Sequence, residues 1–172
     1  MTGLEPLYIM VKPPEDEAVQ IEGRRRDLGI SSSYDRYRFH STVLPLGDVT
    51  AYPDSHLDAL DRMVRSLEVS PFPVRFDHLH SNALIGKGMT AYRRWQRALS
   101  SRLKSKGLPT LPYRFRPHVS LDYGAPVDRT IPIDPVGWLV EELLLIRSIH
   151  GKGQHVVMTR WPLVSRQFSF GF

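Results

Sequence analysis

The sequence reads as α+β. Strand-like and helix-like segments succeed one another without the regular βαβ repetition of a parallel sheet, and the connections suit antiparallel pairing. A short histidine-bearing stretch also occurs twice, once in each half of the chain, the spacing that two similar lobes facing one another would give. The copies read Phe39-His40-Ser41-Thr42-Val43-Leu44 and Pro117-His118-Val119-Ser120-Leu121-Asp122. In each, a hydroxyl side chain follows the histidine by two residues, inside an apolar, β-prone run with Pro or Gly soon after, which is a strand signature.

In order along the chain, Leu7 to Val11 is an apolar run stopped by Pro13-Pro14 and reads as the first strand. Tyr8 on it is either a core residue or a ring on which a base could stack. Glu15 to Leu28 has helical composition, with acids in the first turn and Arg24 to Arg26 near the end, complementing a helix dipole; Gly29 ends it. After the first motif strand, Ser55-His56-Leu57-Asp58 looks like a capped helix start. Leu57, Leu60, Val64 and Leu67 then recur at helical spacing until Pro71 and Pro73.

Next, Phe72, Val74, Phe76, His78 and His80 alternate as on a strand, which puts two histidines on an otherwise apolar face and Asp77 on the other. Gly86-Lys87-Gly88 is a turn. From Thr90 to about Lys106 an amphipathic helix carries Trp95, Leu99 and Leu103 at i, i+4, i+8, and Gly107 and Pro109 close it before the second motif. Trp138 to Ile149 is read as one buried strand, although its composition also suits a helix. Gly151-Lys152-Gly153 is a tight turn from which His155 to Trp161 pairs back as a hairpin. Lys152 is then a turn residue, with contact to a phosphate as the alternative.

Composition narrows the class. The 172 residues fit one domain, 1–172, of two lobes sharing a core, and 41% hydrophobic with 24% charged residues is ordinary for a globular protein. No run approaches the roughly 18 apolar residues of a membrane helix, and the first residues lack the order of a signal peptide. With no cysteine, disulfides and thiolate-bound metals are excluded, and the cytoplasm is the expected location. A net charge of +5 favours anionic partners. Arg24 to Arg26, Arg36 and Arg38 precede the first motif and Arg114 and Arg116 the second, which favours a phosphate-rich ligand.

Because strand side chains alternate faces, His40 shares a face with Thr42 and His118 with Ser120. Each copy offers one imidazole and one hydroxyl together. These tetrapeptides, His40-Ser41-Thr42-Val43 and His118-Val119-Ser120-Leu121, resemble the two His-x-Thr/Ser-x motifs of the 2H phosphoesterases, in particular the bacterial 2′-5′ RNA ligase-like branch. An early strand ending in Pro-Pro, the Leu44 to Gly47 exit from the first motif and the Arg116-Pro117-His118 entry to the second are similar too.

The resemblance implies two pseudo-symmetric lobes, each an antiparallel sheet backed by helices, with the motif strands facing across a central cleft. It also implies a monomeric phosphodiesterase that opens 2′,3′-cyclic phosphates of RNA ends or nucleotides without metal or other cofactor, and in reverse could join 2′-5′ RNA ends. His40 and His118 would be the acid–base pair, Thr42 and Ser120 would bind the phosphate, and Tyr8, Arg38, Arg116 and Lys152 are candidates for further substrate contact.

Two other readings use the same sequence. His78 and His80, with His150 and His155, could serve a metal-dependent hydrolase, although no carboxylate stands at a recognisable ligand spacing. A basic RNA-binding protein without catalysis would account for the charge but not for the paired motifs.

Overall fold

A computed structural model describes residues 4–30, 33–124, 128–149 and 151–165. In chain order its elements are β1 (Pro6–Val11), α1 (Glu15–Asp27), β2 (Ser41–Asp48), α2 (Asp54–Ser66), β3 (Phe72–His80), β4 (Ala83–Ile85), α3 (Thr90–Ser105), β5 (His118–Ser120), β6 (Thr130–Val140), β7 (Glu142–Ile149) and β8 (Gln154–Pro162). They form two four-stranded antiparallel sheets, ordered β2-β1-β7-β8 and β5-β4-β3-β6. The α+β class and the two-lobed arrangement expected from the motifs are both present.

The lobes repeat one local plan. In the first, β1 leads through α1 to β2, which pairs back on β1; in the second, β4 leads through α3 to β5, which pairs back on β4. Each motif strand is therefore the outermost strand of its sheet, and the two lie against one another.

Alternation on β1 decides what the first sheet buries. Leu7, Ile9 and Val11 enter the main core with Val43, Leu143 and Leu145, each gaining about 1.5–3 kcal/mol on full burial. Tyr8 and Met10 occupy the opposite face and pack with Leu144 and Ile146 in a separate small cluster. Tyr8 is thus outside the main core. The helices close the core with Ile21 from α1, Leu60 and Val64 from α2, and Tyr92, Leu99 and Leu103 from α3.

Several expectations are corrected. Trp138 to Ile149 is two strands, broken at Glu141, where the chain leaves one sheet and enters the other. Strand β4, unrecognised in the sequence, is a three-residue partner for β5, entered through Ser81 at φ 54. Helix α2 starts at Asp54 behind Pro53 with no side-chain cap, and it ends at Ser66, ahead of the prolines. Pro73 lies within β3 where only β6 pairs with that strand, so its missing N–H breaks no ladder on the other side.

A register shift between Phe76 and His78 reverses the alternation of β3. Phe72, Val74 and Phe76 are buried, but the next buried residue is Leu79, so His78 and His80 do not share the apolar face.

Candidate active site

At the start of β2, His40 is half-buried, Ser41 buried, Thr42 half-buried and Val43 buried; in β5, His118, Val119, Ser120 and Leu121 repeat that order. The inward partners differ in chemistry but serve the same end. Ser41 accepts a hydrogen bond from the Tyr92 hydroxyl at 3.0 Å, and Val119 joins the core. That anchoring turns each histidine and its hydroxyl outward together.

Both imidazoles are held alike. The Nδ1–H of His40 donates to the carbonyl of Arg38 at 2.6 Å, and that of His118 to the carbonyl of Arg116 at 2.7 Å. A carbonyl can only accept, so both rings have their Nδ1 protonated, and Nε2 is the nitrogen left for chemistry. Among the described residues neither Nε2 has a protein partner, nor do the hydroxyls of Thr42 and Ser120.

The surroundings set the charge of His40. Burial pushes its pKa down to about 4, and nearby Lys12, His118 and Arg38 add to that; the Arg38 carbonyl acts the other way. His40 is therefore neutral at pH 7. His155 packs edge-on against it, with ring centroids 5.2 Å apart, and burial, then His40, Lys12 and Arg38, push its pKa to about 3. Lys12 is lowered by burial and by Arg160 and Arg38, with Asp35 opposing, and its ammonium donates to the Tyr37 carbonyl at 2.6 Å.

Two buried polar nitrogens in this group, Nε of Arg38 and Nδ1 of His155, have no partner. Lys12, Arg38 and His155 form a cationic and polar wall beside His40. Lys12 continues the Tyr8–Met10 alternation, a signal present in the sequence; His155 gave no local signal for this site.

The seam between lobes is fixed by side-chain and backbone hydrogen bonds. Arg25, 2% exposed, donates to the carbonyls of Tyr34 and of Leu121, the latter at 3.5 Å, and lies 5.3 Å from the Phe39 ring centroid. It thus touches the residue before His40 and the one after Ser120. The Tyr113 hydroxyl donates to the Thr42 carbonyl at 3.3 Å, and Leu111 N–H to the Pro45 carbonyl at 3.2 Å.

The other sequence candidates are distributed around this centre. Tyr8 is half-buried, and its pKa is raised by burial and by Tyr123, the exposed ring three residues past Ser120. Arg38 lies over the Tyr34 ring at 4.5 Å. Arg116 is exposed and lines a cavity beside His118. Lys152 is exposed in the hairpin turn, whose Gly153 packs on the Arg38 guanidinium so closely that a Cβ would meet it at 3.1 Å.

Three arginines of the basic run before the first motif are paired with acids of the protein itself. Arg24 pairs with Asp134, Arg25 with Glu22, and Arg36 with Glu15 and Glu22. The residues of the metal reading are dispersed: His78 bonds Asp77 at 2.8 Å, His80 bonds Thr130 at 2.7 Å, His155 packs on His40, and His150 lies outside the described residues. Asp77, expected on the opposite face, is His78's partner. No group of three or more His, Cys, Asp or Glu among the described residues is placed to hold a metal ion.

No protein-family model matches the chain, and no curated protein sequence matches it. Solved structures do. A crystal structure of Escherichia coli LigT complexed with 3′-AMP superposes with a TM-score of 0.74 at 18% identity, covering 95% of this chain and 100% of that one. TT0787 of Thermus thermophilus gives 0.74 at 18%, covering 94% and 100%, and a structure described as a phosphoesterase gives 0.75 at 18%, covering 95% and 100%. The fold of this chain is the two-lobed fold of those proteins.

Proposed function

We propose that the protein is a 2H phosphoesterase that opens 2′,3′-cyclic phosphates at RNA ends or on nucleotides, with His40 and His118 as its acid–base pair. The observation that carries this is the matched pair of imidazoles, each pinned through Nδ1 to the carbonyl two residues earlier, each beside a hydroxyl with no protein partner. A water-opened cyclic phosphate needs one proton removed and one delivered on opposite sides of phosphorus. Two imidazoles on edge strands of facing lobes suit that need, and the proton transfers call on no metal.

His40, held neutral, takes a proton from the attacking water as its oxygen bonds phosphorus. His118 gives a proton to the ribose oxygen as its bond to phosphorus breaks, and the product is a phosphomonoester. Thr42 and Ser120 donate to the non-bridging oxygens, most strongly where charge builds in the transition state. Lys12 and Arg38 add positive charge on the His40 side. Run backwards with a 2′-hydroxyl in place of water, the same proton transfers make a 2′-5′ link, so ligation follows from the same groups.

The fold shared with LigT and with a phosphoesterase supports the reading. The test is incubation of a short RNA ending in a 2′,3′-cyclic phosphate, in excess EDTA, with the product read by mass and phosphate position. Opening to a monophosphate is expected. Binding without turnover would favour the non-catalytic RNA-binding reading, and loss on chelation with recovery on adding zinc would favour a metal enzyme.

A further inference from the structure

The positive charge of the chain is unevenly placed. Residues 78–121 hold nine Lys and Arg and no Asp or Glu, while the rest of the chain holds fourteen against eighteen. That one segment accounts for more than the whole net charge of +5, and helix α3 is its centre. Tyr92, Trp95, Leu99 and Leu103 turn to the core. The opposite face of the helix carries Arg94, Arg97 and Lys104, all exposed, with Arg93 half-buried at its edge. At 1.5 Å per residue, the row from Arg93 to Lys104 is about 16 Å long.

This row is not neutralised from within. Arg93 and Arg97 donate through Nε to the carbonyls of Gly88 and Arg93, at 3.2 and 3.4 Å, and among the described residues none of the four cations pairs with a carboxylate. Arg93 and Arg97, one turn apart, repel each other. That separates the row from Arg24, Arg25 and Arg36, which are all paired with acids. A helix that lies on a membrane sets large apolar side chains beside its basic ones, but those of α3 are all buried, and its exposed residues are Arg, Lys, Ala, Ser and Thr. With no exposed ring the face offers bases nothing to stack on. What it matches is a line of phosphates, held without regard to sequence.

We propose that the outer face of α3 is an exosite for the RNA chain, holding phosphates of nucleotides distant from the reacting end on Arg94, Arg97 and Lys104. Arg93, which also lines the cavity beside His118, marks where this track leaves the cleft. The inference takes its RNA from the cyclic-phosphate reading of the site. It adds that the substrate is a chain, of any sequence, long enough to reach α3.

Binding is measured by fluorescence anisotropy with two unreactive probes, the dinucleotide ApA 3′-monophosphate and single-stranded RNA 12-mers of two sequences with the same end. Arg97→Gln/Lys104→Gln removes two charges from the track, and Arg26→Gln/Arg62→Gln removes two exposed charges from α1 and α2. For both 12-mers the track variant should lower the slope of log K against log salt by about 1.4, two phosphate contacts on a single strand, and weaken binding at 0.1 M salt by about tenfold or more. The dinucleotide should bind it as tightly as wild type, and the α1/α2 variant should keep the wild-type slope. Unchanged 12-mer binding in the track variant, an equal loss in the α1/α2 variant, or an equal loss on the dinucleotide overturns the proposal. So do vesicles of equimolar phosphatidylserine and phosphatidylcholine that bind wild type more tightly than the 12-mer does and are released by the track variant. Turnover tests the reading beneath it: with a cyclic-ended 12-mer and adenosine 2′,3′-cyclic phosphate as substrates, the track variant should raise KM for the 12-mer alone, and an equal rise for both overturns the exosite. If wild type turns over neither, the two-histidine reading fails, and the anisotropy result still decides the exosite.

Discussion

The ring of His155 stands edge-on to the ring of His40, centroids 5.2 Å apart and planes at 75°. Burial dominates the depression of both pKa values, to about 3 and about 4, and each imidazole helps to keep water from the other. A base whose pKa is lowered stays neutral, and usable, to lower pH. The acid limb of kcat/KM should therefore lie well below the ordinary histidine value of about 6.5. His155→Ala admits water to the His40 ring and should move that limb upward by about one pH unit or more. A pH–rate profile of the two proteins checks it, and a limb that stays in place would remove His155 from any part in tuning His40.

The same pair ties stability to pH. Both histidines have folded pKa values below the unfolded one, so the unfolded chain binds protons that the folded chain refuses. Their contribution is fully intact above about pH 6.5 and is lost as pH falls toward 4 and 3. Urea midpoints should fall between pH 7 and pH 4 more steeply for the wild type than for a His155→Gln variant, which has one fewer such group.

What could be read from the sequence was local. Period-2 alternation needs only neighbours, and it paired His40 with Thr42 and His118 with Ser120; the same rule, carried one step past Met10, leads to Lys12. The break at Glu141 was hidden because the apolar density of Trp138 to Ile149 runs on through it, although the two sides belong to different sheets. The shift after Phe76 depends on how β6 pairs with β3, which β3 alone does not encode. Arg25 looked like its neighbours in a basic run. Its burial is decided by the carbonyls of Tyr34 and Leu121, the second of them 96 positions away.

Arg25 yields a prediction of its own. Arg25→Met leaves the carbonyls of Tyr34 and Leu121 without their donor and should cost about 2 kcal/mol or more of unfolding free energy. Glu22 keeps Arg36 as a partner, so its loss adds little. Arg25→Lys should not restore stability, because one ammonium cannot serve both carbonyls from the position of Nη1 and also replace Nη2 on Glu22 and the flat guanidinium against the Phe39 ring. Urea denaturation of the three proteins measures this, and full recovery in the lysine variant would show that charge, not the fork, is what the site requires.

Adjacent hydroxyls on β2 should behave in opposite ways. Ser41 is buried and holds the Tyr92 hydroxyl, so Ser41→Ala should cost about 1–3 kcal/mol of stability and leave the chemistry nearly intact. Thr42 and Ser120 have hydroxyls with no protein partner, so Thr42→Ala and Ser120→Ala should barely affect folding but raise the barrier by up to about 3 kcal/mol, as for one lost oxyanion donor. Melting temperature and kcat/KM measured on the same samples separate the two effects.

The strictest test concerns the relation between the lobes. If His40 and His118 serve one reaction, His40→Ala and His118→Ala should each lower kcat/KM by about a hundredfold or more, the low end of what an acid or base contributes. Their effects should not add. A reaction that needs a proton taken and a proton given is already disabled when either transfer is lost, so the double variant should be only slightly worse than the worse single one. Each single variant should also lose one limb of the pH profile and keep the other. Multiplicative losses in the double variant would mean that the histidines act independently, and a folded His118→Ala protein with near-normal turnover would make β5 a structural strand and leave His40 to find its acid elsewhere.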